Sequence, residues 1–369
     1  MEDLLGACFC CSQRKTAPKV DAVEVMKRER DGLCPSEPLA ARQYVLLVSG
    51  TMNPPHVGHV RLGLAAAARL RASGHIVKAI CYVPVHDNYL CNKVIDKRQG
   101  GKSLSVLDAI AFPMSERCAL LKELIAGEPA EQTRDCHVLD YEHSSGDAGL
   151  LATSPGYWAP KLPGGYLKTV PTASVISSFA ANSPLMSGGA RLGVVFGVDN
   201  LAGMATWNNP RGLLAQADLV LLARAMPAIK FGKDPTELLG ALRHVEIEAA
   251  VPVVHGDETL LGSESGSFTN AGTCGEGALF MLPPLEGDDE GLSSTRIRKA
   301  VAAKLGASTD GGAGSGSGSG GALSPDDVLA AHGYPASSQE RLLAVVKQGE
   351  KAVEKMVATG QAQSEWVVP

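Results

Sequence analysis

Runs of aliphatic and β-branched residues punctuate the chain at Tyr44–Val48, Ile76–Val83, Cys136–Tyr141, Leu192–Val198 and Leu219–Ala223. Each has the length and composition of a buried strand. Around them, apolar positions recur at helical spacing. That pattern predicts helices over His59–Ser73, Ser115–Ala126, a stretch around Thr169–Ala181, Leu201–Thr206, Pro235–Leu242 and Ser294–Leu305. Strands alternating with helices imply an α/β fold, a parallel sheet wrapped on both faces, whose ligands sit at the carboxyl ends of the strands.

The pattern lapses in defined places. Residues 1–42 mix charge, proline and small residues without apolar periodicity, so they read as an extension outside the core. Lys97–Ser105, Gly146–Gly165 and Gly256–Gly277 read as long loop insertions, and Ser308–Gly321 as a flexible Gly/Ser linker. The expected organisation is therefore an extension over 1–42, a catalytic domain over 43–307, a linker over 308–321 and a helical segment over 322–369. Helical stretches in that last segment fall at Pro325–His332 and Ser338–Ala358, broken at Gly333-Tyr334-Pro335.

Composition narrows the class. A chain of 369 residues that is 45% hydrophobic has ample material for a core, and a net charge of −5 argues against bulk nucleic-acid binding. No apolar stretch approaches the ~20 residues that span a bilayer, and the N-terminus lacks the apolar region of a secretory signal, so a cytoplasmic or nuclear protein is expected. The 9 cysteines lack zinc-finger spacing and are expected as core fillers or free thiols. Cys8, Cys10 and Cys11 beside Arg14 and Lys15 could be acylated as a membrane tether; the favoured reading is a disordered tail.

Candidate chemistry begins where the first strand ends. Ser49 leads into Gly50-Thr51-Met52-Asn53-Pro54-Pro55-His56-Val57-Gly58-His59 and then into an alanine-rich helix. The glycine lets backbone approach a ligand and the prolines delay the helix. His56 and His59, three apart, project to one side of a helix N-terminus whose unpaired N–H groups favour an anion. Taken alone, the histidines could cap or pack, or bind zinc, although no further ligand is in register. A second cluster, Gly291-Leu292-Ser293-Ser294-Thr295-Arg296-Ile297-Arg298-Lys299, places hydroxyls and guanidinium groups at another helix start. Taken alone it is an ordinary capped helix. A third segment, Phe196-Gly197-Val198-Asp199, ends a strand and is followed by Trp207 and Arg224.

Together these segments resemble the nucleotidyltransferase superfamily with its His-x-Gly-His signature, and within it the nicotinamide/nicotinic-acid mononucleotide adenylyltransferases. Gly-x-x-Asn-Pro followed by His59 matches the first motif, with Asn53 where phosphopantetheine adenylyltransferases and cytidylyltransferases carry Asp. Leu292–Arg298 is similar to the family's Ile-Ser-Ser-Thr-x-Ile-Arg, with Leu292 replacing isoleucine. Gly197-Val198-Asp199 resembles its Gly-x-Asp turn beside the adenosine ribose, with Trp207 near the pyridine ring. Val83–Tyr89 resembles the segment after the second strand, although the family's phosphate-contacting lysine is displaced here, Cys91 holding the strict position and Lys93 following. Tyr166 and Thr169 have the spacing of the pair that holds the pyridine ring and amide in relatives.

The resemblance implies a Rossmann-like nucleotidyltransferase fold. It implies transfer of the adenylyl group of ATP to nicotinamide mononucleotide (NMN) and/or nicotinic acid mononucleotide (NaMN), with Mg²⁺ on the phosphates. His59, His56 and Arg298 would be catalytic. Gly50, Thr51, Met52, Gly197, Asp199, Ser293, Ser294, Thr295 and Arg296 would join them around ATP. Asn53, Lys93, Tyr166, Thr169, Trp207 and Arg224 would hold the mononucleotide. Many members assemble, which leaves a homo-oligomer open. Rival readings are another adenylyl- or cytidylyltransferase, such as one acting on phosphopantetheine, or a non-catalytic nucleotide-binding scaffold.

Overall fold

The computed structural model describes residues 39–87, 89–90, 93, 112–141, 171–204, 210–223, 228–232, 235–239, 241–248, 251–255, 258–261, 266–269, 277–285, 292–305 and 324–359. The N-terminal cysteine cluster, the loops over 97–105 and 146–165, the linker over 308–321, and Tyr166, Thr169, Trp207 and Arg224 lie outside the described residues.

The strands are β1 Gln43–Gly50, β2 Ile76–Pro84, β3 Cys136–Val138, β4 Arg191–Gly197, β5 Ala217–Leu222, β6 Ile229–Phe231, β7 Leu242–Ile247, β8 Val253–His255, β9 Glu258–Leu261, β10 Gly266–Thr269 and β11 Gly277–Leu282. The principal helices are α1 Val57–Ala72, α2 Met114–Ala126, α3 Thr172–Asn182, α4 Pro210–Gln216, α5 Ser294–Lys304, α6 Pro325–Ala331 and α7 Ala336–Thr359. An 8-stranded sheet runs in the order β10-β7-β11-β5-β4-β1-β2-β3, parallel throughout except where β10 meets β7. A smaller sheet joins β6, β8 and β9.

Both faces of the large sheet are covered, which is why its strands read as unbroken apolar runs. Tyr44, Leu46 and Val48 of β1 face Val57, Val60, Leu64, Ala67 and Leu70 of α1, while Val45 and Leu47 face Ile176 and Phe179 of α3. Full burial of each such aliphatic side chain contributes about 1.5–3 kcal/mol. The order is doubly wound and Rossmann-like: β1 adds β2 on one side and β4 on the other. The direction of strand addition reverses between β1 and β4, and a ligand crevice opens at such a switch point. Val48 is in register with Val195, so β1 and β4 end side by side at Gly50 and Gly197.

At the opposite, amino-terminal ends of the strands, a buried carboxylate ties the sheet together. Asp218 accepts from Arg42 Nη1, Tyr44 Oη and Arg191 Nε, each at 2.7 Å, and from the Ala278 amide at 2.9 Å. Burial, reinforced by Asp218, pushes the Tyr44 phenol well above its ordinary range.

Several expected elements need correction. The helix expected over Pro235–Leu242 is a single turn, Thr236–Leu239, and Leu242 begins β7. Leu242, His244, Val245 and Ile247 are buried between β11 and β10, a site that selects an extended chain. The insertion expected over Gly256–Gly277 contributes β9 and β10. The third strand stops at Val138, and Val198 leaves β4 for a 3₁₀ turn, Val198–Asn200, closed by Asn200 Nδ2 donating to the Gly197 carbonyl. Cys81, Cys118 and Cys136 are free thiols, and burial pushes the Cys81 thiol up to about 12. Among the described residues no helix is long and apolar enough to cross a membrane.

The helices after the linker pack onto the core. Leu329, Tyr334, Leu342, Val345 and Val346 form one cluster with Phe112 and Leu120 on one side and Ile297, Ala300 and Val301 of α5 on the other. Arg341 and Ser338 hydrogen-bond Glu123 of α2, and Lys304 pairs with Asp326.

Candidate functional site

The turn after β1 is held from outside at nearly every carbonyl. Gly50 O accepts from the Val85 amide at 3.0 Å and Thr51 O from Arg117 Nη1 at 3.0 Å. Asn53 O then accepts from Arg298 Nη1 at 2.6 Å, Pro54 O from Ser294 Oγ at 2.8 Å, and Pro55 O from Tyr334 Oη. Prolines have no N–H, so these carbonyls anchor the turn to neighbouring segments. Met52 adopts φ 45°, a left-handed conformation that costs an L-residue roughly 1–2 kcal/mol, and its buried side chain packs with the α1 face to hold it there.

The turn delivers His56 as the N-cap of α1, with extended backbone at φ −146° and ψ 168°. His56 N–H donates to His59 Nδ1 at 3.1 Å, and the rings lie in contact, tilted 46° to each other with centroids 3.9 Å apart. An acceptor Nδ1 carries no proton, so this geometry assigns the neutral His59 proton to Nε2, which becomes a directed donor at the helix mouth. His59 is half-buried and His56 is buried. Gly58 leaves little room between them: a Cβ there would press on the His56 ring at 3.0 Å and on Leu292 Cδ1 at 3.2 Å. At Gly50, by contrast, a Cβ would meet only Met52 Cγ at 3.9 Å, so protein packing does not demand that glycine.

The second helix start docks directly on the first. Ser293 caps α5, its hydroxyl accepting from the Arg296 amide at 3.2 Å. Ser294 and Arg298 reach across to the Pro54 and Asn53 carbonyls, and Arg298 Nη2 also donates to Thr295 Oγ1 at 3.2 Å. Thr295 and Arg296 are exposed. Neither α1 nor α5 carries an acidic residue in its first turn, where one would offset the positive end of the helix dipole.

The structure thus brings Gly50, Thr51, Met52, Asn53, His56, His59 and Ser293–Arg298 together as one unit, while Gly197 ends the strand adjacent to Gly50 and Asp199 is exposed in the turn that follows. Two side chains do work the sequence does not disclose. Asn53 Oδ1 accepts from the Phe112 amide at 2.8 Å, and the Ser294 hydroxyl is engaged by Pro54. Lys93 Nζ lies 5.2 Å from the centroid of the Tyr89 ring.

Arg117 is a contributor that sequence reasoning missed. Fully buried, it donates to Phe112 O, Thr51 O, Val85 O and Asp87, and Asp87 in turn accepts from the Met114 amide at 3.2 Å. A guanidinium on the apolar face of a predicted helix, between Met114 and Leu121, was the available signal. Tyr334 is a second, lying in a segment that reads only as a helix break.

Fold and site together define a doubly wound α/β protein whose switch point carries two docked helix N-termini with histidine and arginine side chains. No protein-family model matches the chain, and no curated protein matches it. Among solved structures the chain is similar to Plasmodium falciparum nicotinic acid mononucleotide adenylyltransferase complexed with APC, with 9% identity and a TM-score of 0.38 over 70% of this chain and 84% of that chain. A structure of the Plasmodium falciparum adenylyltransferase complexed with NaAD is similar at 10% identity and a TM-score of 0.38, with the same coverage of 70% and 84%.

Proposed function

We propose that this protein transfers the adenylyl group of ATP to NMN and/or NaMN, forming the dinucleotide NAD or deamido-NAD and releasing pyrophosphate. The observation that carries the reading is the joining of His56–His59 and Ser293–Arg298 on one turn at the switch point, where two helix N-termini without an acidic first turn meet.

The chemistry asks little covalent work of the chain. A phosphate oxygen of the mononucleotide, already anionic at neutral pH, attacks the α-phosphorus of ATP. The bond to the bridging oxygen breaks, and pyrophosphate leaves with the electron pair. Catalysis is then alignment, which contributes roughly 7–11 kcal/mol for well-placed partners, and stabilisation of charge on the α-phosphate and the leaving group. His59 Nε2–H would donate to the α-phosphate, with the tilted His56 ring against it to fix its position. Arg296, Arg298 and the first-turn amides of α5 would receive the β- and γ-phosphates, with Ser293 and Thr295 shaping that helix mouth. Gly50 and Met52 would line the nucleotide and Asp199 the ribose.

A Mg²⁺ ion fits this donor set as a passenger on substrate oxygens. Mg²⁺ prefers oxygen ligands and retains several waters, so phosphate oxygens would supply most of what it needs from the complex. When bound it would neutralise charge on the phosphates. The test is pyrophosphate release from ATP with NMN, with NaMN and with phosphopantetheine as separate acceptors. Turnover with neither pyridine mononucleotide would overturn the proposal.

A further inference from the structure

Behind the paired histidines lies a third imidazole. His332, between α6 and Gly333, is 2% exposed, and its ring meets that of His56 edge-on with centroids 5.9 Å apart. Its atoms touch both helix starts. The His332 carbonyl accepts the first amide of α1, from Val57, at 3.0 Å, and its Nε2 accepts the amide of Ser293, the cap of α5, at 3.1 Å. Nδ1 lies 2.6 Å from the Val328 carbonyl, an acceptor, so the proton is on Nδ1 and Nε2 is left with a lone pair for Ser293. The backbone is built for this placement. Gly333 has φ +86°, and a Cβ there would meet Leu124 Cδ2 and Val57 Cβ at 2.9 Å.

We infer that His332 is a positioning residue for nucleotide binding: by joining the Ser293 amide, the Val57 amide and the His56 ring, it sets the distance between the two phosphate-facing helix starts. The inference rests on the adenylyl-transfer reading for its kinetic consequence, but its structural content stands independently. His332 acts through Ser293 and His56 and does not itself touch substrate. Because Ser293 heads the segment carrying Arg296 and Arg298, the effect falls on the ATP triphosphate more than on the mononucleotide.

Two substitutions divide the ring's functions. His332→Gln keeps an acceptor oxygen near the place of Nε2, whereas His332→Asn keeps a donor for Val328 and withdraws the acceptor from Ser293. In the full chain, amide hydrogen exchange at Ser293 and the initial-rate KM for ATP are measured for both variants and the unaltered protein. Expected results are exchange at Ser293 at least about tenfold faster in His332→Asn, a KM for ATP raised about tenfold with the mononucleotide KM within about twofold, and restoration of both by His332→Gln. Equal impairment in the two variants, or unchanged Ser293 exchange in His332→Asn, would overturn the assignment. Should the unaltered protein show no turnover, the adenylyl-transfer reading fails, while the exchange comparison still decides whether His332 holds Ser293.

Discussion

Arg298 donates to the main-chain carbonyl of Asn53 at 2.6 Å, across 245 positions of sequence. A side chain with the charge to hold phosphate is therefore also a strut that fixes the turn presenting His56 and His59. Its fork geometry permits both, since a guanidinium carries five donors in a fixed plane and an ammonium does not.

Substitution of Arg298 separates strut from charge. Arg298→Lys retains the charge and loses the planar reach to Asn53 and Thr295, and it is expected to raise the KM for ATP about tenfold or more, in line with the ~1.5–3 kcal/mol of a charged hydrogen bond. Arg298→Ala should weaken ATP further and the mononucleotide less. Equal weakening of both substrates in steady-state kinetics would contradict the phosphate assignment.

His59→Ala is expected to reduce kcat about 10²–10³-fold with a modest change in ATP affinity, the pattern of a donor aimed at charge that develops in the transition state. Turnover near that of the unaltered protein, measured by pyrophosphate release, would remove His59 from this role.

Gly58→Ala tests the packing that keeps the rings in place. The new Cβ presses on the His56 ring and Leu292, and overpacking of this kind costs about 1–3 kcal/mol. Turnover is expected to fall more than thermal stability. Unchanged turnover with a lowered melting temperature would show that the His56 position has no part in rate.

Stability should depend on pH through His332. Burial holds its pKa below the ordinary value of 6.5, Arg296 acts in the same direction, and the Val328 carbonyl opposes them. His56 is the other titratable ring against it. Between the depressed folded pKa and 6.5 the unfolded chain binds more protons than the folded one, so this group's stabilisation is complete above 6.5 and is lost as pH falls through the folded value. Denaturant midpoints of the unaltered protein should decline over that window more steeply than those of His332→Gln. Parallel curves would contradict the prediction.

Asp218→Ala addresses the far end of the sheet. Leaving the buried donors of Tyr44 and Ala278 and the part-buried guanidinium groups of Arg42 and Arg191 unmatched should cost about 3–5 kcal/mol of stability. The folded fraction should keep its kinetic constants, because the network lies at the amino-terminal ends of the strands. A changed KM for ATP in active-site-normalised assays would show that the two ends are coupled.

The first strand and the turn after it were legible because their signals are local: β-branched residues, then glycine and prolines, then alanine. Gly277–Leu282 was not. Its Ala, Leu and Met favour helix by propensity, and only its place between β5 and β7 makes it the strand β11. The candidate site divides in the same way. His56, His59 and the Ser293–Arg298 cluster stand in recognisable patterns, whereas Arg117, His332 and Tyr334 owe their importance to carbonyls and amides far away in sequence. The Asn53 side chain was legible as a site residue, but its bond to Phe112 was not, since no pattern of residue types encodes a bond to a main-chain amide.

The partners of the three successive carbonyls of Asn53, Pro54 and Pro55 become available at different stages of synthesis. A chain emitted as far as residue 305 already contains both helix-start motifs and the donors for Asn53 and Pro54, but it lacks Tyr334 for Pro55 and the His332 carbonyl for Val57. The nascent protein therefore carries the histidine and arginine side chains of both motifs before it can lock them in register, and the turn is fully held only once residues 332–334 have emerged.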